Sequence, residues 1–253
     1  MDRDEYARMY RLEDRHWWFV SRRNLLASAL RRFPPPPQAG PRVLDVGCGT
    51  GGTLDRLSKM NLPAVGLDRE PLALEFCRER GHTRLVLGSA TDLPFASSTF
   101  PAAVAMDVLE HIPDHIKAAQ EIARVLVPGG FLYATVPAYR SLWSTHDIAL
   151  MHQRRYVRGE FAELLRGAGL ELVHLTYTVS ALLPAVWAVR TGRRKLRPNA
   201  PPRADVGPVP APLNRLLRTG QDMENALALR RRLPFGLSLL AVARKPVQSA
   251  VLG

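Results

Sequence analysis

Short apolar runs alternate with amphipathic stretches along the central part of the chain. Runs bounded by glycine, proline or acidic residues predict strands at 42–46, 64–68, 84–88, 102–107 and 130–136. Stretches with helical apolar spacing predict helices at 51–60, 71–80 and 114–126. Strands that alternate with helices are typical of a parallel sheet covered by helices on both faces. The pattern therefore predicts an α/β fold.

The alternation continues in the second half of the chain. We predict a helix at 158–168, a strand at 170–177 and a last strand at 237–244. The interval 180–234 is much longer than a strand connection and carries a further predicted helix at 213–232. It begins at the carboxyl end of a strand, which is the side where α/β sheets bind their ligands.

Ahead of the sheet, residues 4–33 have helical apolar spacing, which ends at a run of four prolines. Trp17 and Trp18 are adjacent, so they cannot lie on the same side of a helix. One is expected to pack inward while the other reaches a ligand or a neighbour, and core packing alone is the simpler alternative.

Composition places the chain among ordinary globular proteins. Its 253 residues, 46% apolar and 23% charged, are enough for one large core with additions. Cys48 and Cys77 have no metal-ligand spacing, and we predict no metal site. A charged N-terminus without an apolar signal segment and the low cysteine content favour a reducing, cytoplasmic setting.

The net charge of +12 is concentrated in the last quarter of the chain. From Arg190 onward there are thirteen lysines and arginines against three acids. Such a block attracts phosphates of nucleic acid or of a membrane, although it is equally compatible with a solvated surface. Because the segment 181–197 passes from apolar to basic, we expect a lid that contacts a membrane peripherally and admits an amphiphilic acceptor.

A glycine-rich stretch follows the first predicted strand. The strand ends at Asp45, and Gly47, Gly49 and Gly52 then fit the pattern G-x-G-x-x-G. Alone, this stretch is compatible with a nicotinamide or flavin cofactor, with another nucleoside ligand or with a tight turn. Asp68 ends the second strand nineteen residues after Gly49, which suits a carboxylate for ribose hydroxyls; a helix-capping acid is the alternative.

Three later segments narrow the choice of ligand for the glycine-rich stretch. They are Leu-Pro-Phe at 93–95, Leu-Glu-His at 109–111 and Val-Leu-Val-Pro-Gly-Gly at 125–130. Together with the glycine stretch and Asp68, in this order, they resemble the class I S-adenosylmethionine-dependent methyltransferases of type 11. The resemblance runs from about Arg42 to Tyr139.

This resemblance implies a Rossmann-like, doubly wound, seven-stranded sheet whose last strand is antiparallel. Around it we expect an N-terminal helical extension or lid at 1–37, a methyltransferase core at 38–179 and 235–246, and a basic, proline-rich helical insertion at 180–234 over the active site.

The resemblance also assigns the donor site to S-adenosyl-L-methionine. Asp45, Gly47 and Gly49 are expected along the methionine part of the cofactor, and Asp68 at the ribose hydroxyls. Ser89 and Ala90 are expected to line the adenine.

The segment after the fourth strand completes this site and shows a departure from the family. Asp107 and Val108 are expected beside the sulfonium. Family members commonly carry Asp where this chain has Ser89, and Asp92 is a candidate replacement. A second departure is Pro101, which we expect to change the start of the fourth strand locally.

An oxygen or nitrogen acceptor usually loses a proton, so a base near the methyl group helps the transfer. His111, His146 and His152 are the predicted catalytic candidates, with Asp147 beside them. His111 is equally compatible with a histidine packed under the cofactor. His152 precedes Arg154, Arg155 and Tyr156, a set that could hold an anionic acceptor group.

The predicted function is S-adenosylmethionine-dependent methyl transfer to the oxygen or nitrogen of a small molecule. The candidate acceptors are amphiphilic, anionic or lipid-linked. The basic tail suggests an RNA methyltransferase as an alternative, but no appended RNA-binding module and no Asn-Pro-Pro-Tyr/Phe segment accompany it. The other alternative is a non-catalytic cofactor-binding partner protein.

Overall fold

A computed structural model describes residues 3–37, 43–196, 201–202 and 204–247. The predicted boundary at 38 and the basic residues Arg197 and Arg203 lie outside the described residues. The strands are β1 (Val43–Val46), β2 (Ala64–Asp68), β3 (Leu85–Leu87), β4 (Phe100–Met106), β5 (Leu126–Pro137), β6 (Glu171–Thr178) and β7 (Ser238–Arg244).

Helices precede, connect and follow these strands. They are α1 (Arg3–Leu12), α2 (Trp17–Arg32), α3 (Gly52–Ser58), α4 (Pro71–Glu79), α5 (His115–Val125), α6 (Thr145–Ala149), α7 (Arg158–Gly167), α8 (Leu183–Leu196) and α9 (Ala211–Arg230). Short 3₁₀ turns follow β4 at Leu109–His111 and β5 at Arg140–Leu142.

The strands form one seven-stranded sheet in the order β3-β2-β1-β4-β5-β7-β6. Strands β1 to β5 pair in parallel, and β7 lies antiparallel between β5 and β6. The predicted Rossmann-like sheet with its antiparallel last strand is therefore confirmed. Because the parallel strands end at one edge of the sheet, Asp45, Asp68 and Asp107 are brought to the same side.

The N-terminal helical segment is broken where the sequence predicts continuity. Residues 13–16 form a turn between α1 and α2, and His16 caps α2 by accepting a hydrogen bond from the Trp18 amide at 3.3 Å. A side-chain acceptor at this position satisfies an amide that the first turn of a helix leaves free. The turn lets α1 fold back toward the glycine-rich loop, whose Gly49 lies against Met9.

Pro101 changes β4 locally, as predicted. The pairing register between β4 and β5 shifts between Phe100 and Ala102. Gly130 of β5 lies so close that an added Cβ would stand 2.9 Å from the Val127 carbonyl and 3.1 Å from that of Pro101. Only glycine fits this contact without displacing backbone.

Two apolar layers cover the sheet. On one face Ile122 of α5 and Phe161 of α7 pack with Leu132. On the other face Leu26 of α2 and Leu229 of α9 pack with strand residues that include Tyr133. Successive strand residues face opposite sides, so neighbouring Leu132 and Tyr133 belong to different layers.

The described residues of the insertion at 180–234 form two helices, of which only α9 was predicted as such. Helix α9 packs along α2, and Asn225 donates a hydrogen bond at 3.0 Å to the Ser21 carbonyl. Asn24 of α2 donates to Asp222 at 2.9 Å. Among the residues described, no helix has the length and apolar character needed to cross a bilayer.

The packing of α2 makes the N-terminal segment part of the cooperative fold. Replacing the fully buried Leu26 with Ala should lower the free energy of unfolding by about 2–5 kcal/mol, because it leaves a cavity between α2 and the sheet. Leu216→Ala on the exposed side of α9 should change it by less than about 0.5 kcal/mol. Urea unfolding followed by circular dichroism measures both; equal effects would contradict this assignment.

Candidate active site

The glycine-rich loop after β1 is held close to β2 and to the segment that follows β4. The amides of Gly47 and Cys48 both donate to the Leu67 carbonyl, at 2.7 and 3.0 Å. Gly47 has φ +70°, and a Cβ there would lie 2.8 Å from a methyl group of Val108. The loop therefore presents bare backbone to the space above the sheet, as a nucleoside ligand requires.

Two strand-end acids lie beside this loop. Asp68 accepts hydrogen bonds from the amides of Gly49 at 2.9 Å and Glu70 at 3.0 Å, so it joins β2 to the loop. Asp45 is buried, and its Oδ2 has no hydrogen-bond partner among the described residues. Burial, with Asp68 and Glu13 nearby, raises the pKa of Asp45 well above its usual value. This region favours a cationic ligand.

Glu13 fastens the N-terminal turn to the same loop. Its buried carboxylate accepts hydrogen bonds from the Thr50 hydroxyl and from Arg80 at 2.8 Å, and it pairs with Arg23 at 3.7 Å. Burial raises the pKa of Glu13, although Thr50 and both arginines oppose the shift. Sequence reasoning missed this contact because Glu13 and Arg80 are far apart in the chain.

Asp107 ends β4 in a left-handed backbone conformation with φ +57°. Its carboxylate accepts from the Thr135 hydroxyl at 3.1 Å and pairs with Arg22 at 3.1 Å. Arg22 also donates to Ser238 at 2.8 Å and lies 4.6 Å from the ring centre of Trp18. A non-glycine residue in this conformation costs energy and is held by such surrounding contacts.

Ser89 and Ala90 follow β3 in a tight turn. The Ser89 hydroxyl lies 2.8 Å from that of Thr91, and the Asp92 amide donates to the Ser89 carbonyl at 3.1 Å. Ser89 and Ala90 line the central cavity, whereas Asp92 is not among its lining residues. This placement favours Ser89 over Asp92 as the side chain near a ligand.

One cavity of about 1220 Å³ connects these elements. This volume exceeds the usual range for a single small ligand, so it has room for a donor and an acceptor together. The predicted site residues that line it are Gly47, Gly49, Asp68, Ser89, Ala90, Asp107, Val108, His111, His146 and His152. Asp45 lies behind the loop, outside the lining.

The three predicted histidines lie together on one wall. The ring centres of His111 and His152 are 4.7 Å apart, and those of His146 and His152 are 6.0 Å apart. Burial lowers the pKa of His111 to about 3 and that of His146 to about 4. The Nδ1 atom of His146 accepts a hydrogen bond at 2.9 Å from the amide of Asp205.

Asp147 holds this wall in place rather than facing the cavity. It is fully buried, and it accepts from the Ser144 amide at 2.9 Å, from His152 at 2.9 Å and from Arg155 at 2.7 Å. Burial alone would raise the pKa of Asp147, but the hydrogen bonds from His152 and Arg155 hold it below its usual value. Asp147 therefore stays ionised and orients His152.

The basic and aromatic residues after His152 are already engaged. Arg155 donates to the Ala138 carbonyl at 2.9 Å in addition to pairing with Asp147. The buried Tyr156 hydroxyl donates to the Leu109 carbonyl at 3.2 Å, and Arg154 donates to that of Pro113 at 2.8 Å. These contacts fix the loop between β5 and α7.

Glu110 lies beside His111 and His152 and was missed as a functional candidate. It is fully buried, and neither carboxylate oxygen has a hydrogen-bond partner among the described residues. Burial and the nearby Asp107 raise the pKa of Glu110 well above its usual value, while Arg22 and Arg155 partly oppose this. A buried acid without partners needs a specific explanation.

Comparison with known proteins agrees with this geometry. A family model described as a methyltransferase domain matches residues 44–134. The chain is 30% identical over 159 residues to the O-methyltransferase rstn1 of Aspergillus nomiae, covering 52% of this chain and 71% of that protein. The chain belongs to the class I S-adenosylmethionine-dependent methyltransferases.

Other relatives match over part of their length. A fatty-acid O-methyltransferase of Mycolicibacterium smegmatis is 33% identical over 159 residues, which are 58% of this chain and 57% of that protein. A solved chain described as a methyltransferase in complex with the Haloferax volcanii Trm112 activator has a TM-score of 0.62 at 25% identity, covering 97% of this chain and 96% of that one. The chain thus spans little more than half the length of the mycobacterial relative.

The cofactor of the family, S-adenosylmethionine, fits the half of the cavity beside the glycine-rich loop and the strand-end acids, called here the donor half. Its sulfonium and amino groups are positively charged, and Asp68 and Glu13 line this half, with the unpartnered oxygen of Asp45 behind the loop. Gly47 and Gly49 line this half with backbone, and the contact with Val108 leaves no room for a side chain on Gly47. Both features are what a cationic nucleoside ligand needs.

If Asp68 binds the ribose, Asp68→Asn should weaken binding of S-adenosylhomocysteine by about 10- to 100-fold, because it removes a charged acceptor and breaks the bond from Gly49. Asp92→Asn, a matched change outside the cavity lining, should leave the affinity unchanged. Isothermal titration calorimetry measures both values. Equal affinity of the Asp68 variant and the unmodified protein would refute the assignment.

Proposed function

We propose that this protein transfers a methyl group from S-adenosylmethionine to an oxygen of a small amphiphilic acceptor. The observation that carries the proposal is the division of one cavity into two halves. The donor half has the glycine-rich loop and strand-end acids, and the acceptor half has the histidine wall. When bound, the cofactor supplies an electrophilic methyl group, and the chain's residues align the acceptor and exclude water.

An amphiphilic acceptor is supported by the lining of the cavity mouth. Trp17, Trp18 and Phe19 come from the N-terminal extension, and Leu182 and Val186 come from the insertion. Apolar side chains next to a polar wall suit a molecule with an apolar tail and a polar head. The similarity to a mycobacterial fatty-acid O-methyltransferase points in the same direction.

We further propose that the segments 1–37 and 180–234 together form the lid of this site. Arg190 of α8 lies within 3.8 Å of the buried Asp147 and donates at 2.8 Å to the Leu142 carbonyl. Asn214 of α9 accepts from the Trp17 amide at 2.8 Å, which joins the two segments to each other. A covered site keeps water away from the reacting atoms.

Activation of the acceptor oxygen is assigned to His152. Its Nδ1 lies 2.9 Å from the ionised Asp147, so Nδ1 carries the proton and Nε2 keeps a free lone pair. His146 accepts at Nδ1 from a backbone amide, so its other nitrogen carries a proton and has no lone pair to offer. Between these two candidates, the free lone pair favours His152.

His152→Ala should therefore lower kcat by on the order of 100-fold while leaving the affinity for S-adenosylhomocysteine unchanged. His82→Ala, which removes a histidine paired with Asp55 outside the cavity lining, is the matched control and should retain activity. Transfer of radiolabelled methyl groups to a panel of long-chain fatty acids and alkylphenols is the assay. Normal turnover by the His152 variant contradicts its role.

The same panel tests the function itself. Methylation of at least one amphiphilic acceptor is expected. Binding of S-adenosylhomocysteine without turnover of any acceptor would instead favour the cofactor-binding partner protein.

We also propose that the outer side of α8 contacts anionic membranes, from which an amphiphilic acceptor enters. Trp187 is 55% and Val189 is 50% exposed, and Arg193 lies further along the same helix. The side chains of Arg194 and Lys195, and all of Arg197, lie outside the described residues. An exposed apolar surface followed by basic residues is the pattern of interfacial helices.

Liposome flotation tests this contact. The protein should float with phosphatidylglycerol vesicles, and changing Arg193, Arg194, Lys195 and Arg197 to Gln should abolish flotation by removing the attraction to anionic lipid. A charge-matched control changes four exposed residues elsewhere to Gln, namely Lys59, Arg78, Arg84 and Arg166. Equal loss of flotation in both variants, or no flotation of the unmodified protein, would exclude a specific contact by this segment.

A further inference from the structure

Glu110, His111 and His152 form a compact group, called here the His–Glu cluster. One potential ligand atom from each side chain can be chosen so that all three lie within 4.8 Å of one another. All three residues line the central cavity. Glu110 and His111 belong to the 3₁₀ turn after β4, and His152 belongs to the loop after α6.

The contacts of the two histidine rings show which nitrogens remain available. The ring of His152 donates from Nδ1 to Asp147, and the ring of His111 lies edge-on to it with the ring centres 4.7 Å apart. A neutral imidazole has one protonated nitrogen and one lone pair. The ring of His152 therefore uses its proton on Asp147 and keeps a lone pair on Nε2, and a neutral ring of His111 offers one lone pair as well.

Glu110 adds a third hydrogen-bond acceptor to the cluster, and no donor among the described residues bonds to it. Its carboxylate is fully buried, and both oxygens lack a hydrogen-bond partner among the described residues. Leaving buried polar atoms unpaired is costly, and protein interiors avoid it. Two lone pairs and a carboxylate that share one small space, without a donor, are complementary to a cation.

We propose that the His–Glu cluster binds a divalent transition-metal cation, such as Zn²⁺ or Fe²⁺, which coordinates the acceptor oxygen. Two histidines and one carboxylate are a ligand set that both ions accept, and three protein ligands leave positions open for a substrate. The proposal rests on the proposed methyl transfer and deepens it. In the metal-loaded protein His152 acts on the acceptor oxygen through the ion, and in the metal-free protein its free lone pair is the base proposed above.

The geometry requires a modest contraction. Metal–nitrogen and metal–oxygen distances are about 2.0–2.2 Å, so three ligand atoms arranged tetrahedrally around one ion lie about 3.4 Å apart. The three ligand atoms of the cluster lie within 4.8 Å of one another, and side-chain rotations that bring them closer by up to about 1.4 Å complete the site. Asp147 holds the ring of His152 at Nδ1, which is the usual outer support of a metal-bound histidine.

A cation here would activate the acceptor as a Lewis acid. Coordination lowers the pKa of a hydroxyl or carboxyl group, whose proton passes to water while the oxygen keeps the electron pair. That oxygen then forms the new bond to the methyl carbon as the carbon–sulfur bond breaks and its electron pair stays on sulfur. The metal ion is neither oxidised nor reduced.

The competing arrangement is a protonated Glu110 that donates its proton to one imidazole nitrogen. It would satisfy two of the three acceptors without any metal. The two arrangements differ in their binding of divalent cations. Only the metal site binds such a cation with an affinity that depends on all three side chains.

The experiment uses the full-length protein, freed of metal with a chelator and then titrated with Co²⁺ as a spectroscopic probe. We expect one equivalent to bind with visible absorption bands, and Zn²⁺ to displace it. Glu110→Gln and His152→Ala should each weaken Co²⁺ binding by at least about 10-fold, since each removes a ligand. His115→Gln, a histidine hydrogen-bonded to Tyr156 outside the cluster, should bind Co²⁺ normally.

Thermal unfolding with and without Zn²⁺ shows whether a variant has merely failed to fold. Zn²⁺ should raise the Tm of the unmodified protein and of His115→Gln but not that of folded cluster variants. Absence of stoichiometric Co²⁺ binding, or binding that survives both substitutions, overturns the proposal. Titration with S-adenosylhomocysteine is the independent arm, because its failure would overturn the proposed function, whereas its success without metal binding would overturn only the metal site.

Discussion

The buried carboxylate of Asp147 is the constraint on which the acceptor half of the cavity depends. An ionised group in the interior is stable only when it is paired and hydrogen-bonded. Asp147 therefore draws His152 and Arg155 toward it, and Arg155 extends the contact to the Ala138 carbonyl at the end of β5. The loop between β5 and α7 is fixed by these bonds, and the orientation of the His152 ring follows from them. Arg190 brings α8 to the same carboxylate at 3.8 Å.

The donor half of the cavity differs from the acceptor half, because three acids lie near one another beside the glycine-rich loop. There the strand-end acids Asp45 and Asp68 lie close together with Glu13, and the unpartnered oxygen of Asp45 favours positive charge. The N-terminal turn closes over this half because Glu13 binds Thr50 and Arg80. Carboxylates thus lie at one end of the cavity, which suits a cationic ligand, while the histidine wall and the unpartnered Glu110 lie at the other end.

The sheet and the donor half could be predicted because both depend on local sequence. Apolar runs mark the strands, and Asp45 and Asp68 stand at strand ends, where parallel topology brings them together. The break between α1 and α2 was missed because it depends on the cap by His16. Glu110 was missed for a different reason: its importance lies in being buried without a partner, and burial of a single acid has no periodic signature. The prediction of no metal site rested on the spacing of Cys48 and Cys77 and stays a prediction, since Glu and His residues joined by folding leave no such signal in the sequence.

The proposed lid contributes apolar side chains to the cavity, which suits the proposed methyl transfer. Acceptor activation and methyl transfer both gain strength when water is excluded, since charges interact more strongly in a medium of low polarity. The tryptophans of α2 and the aliphatic residues of α8 supply apolar surface for that exclusion, and each indole adds only one N–H donor. A more polar lid would compete for the lone pairs of the His–Glu cluster. In the proposed function the apolar tail of the acceptor completes the enclosure, so the molecule to be methylated also helps to exclude water from the reacting atoms.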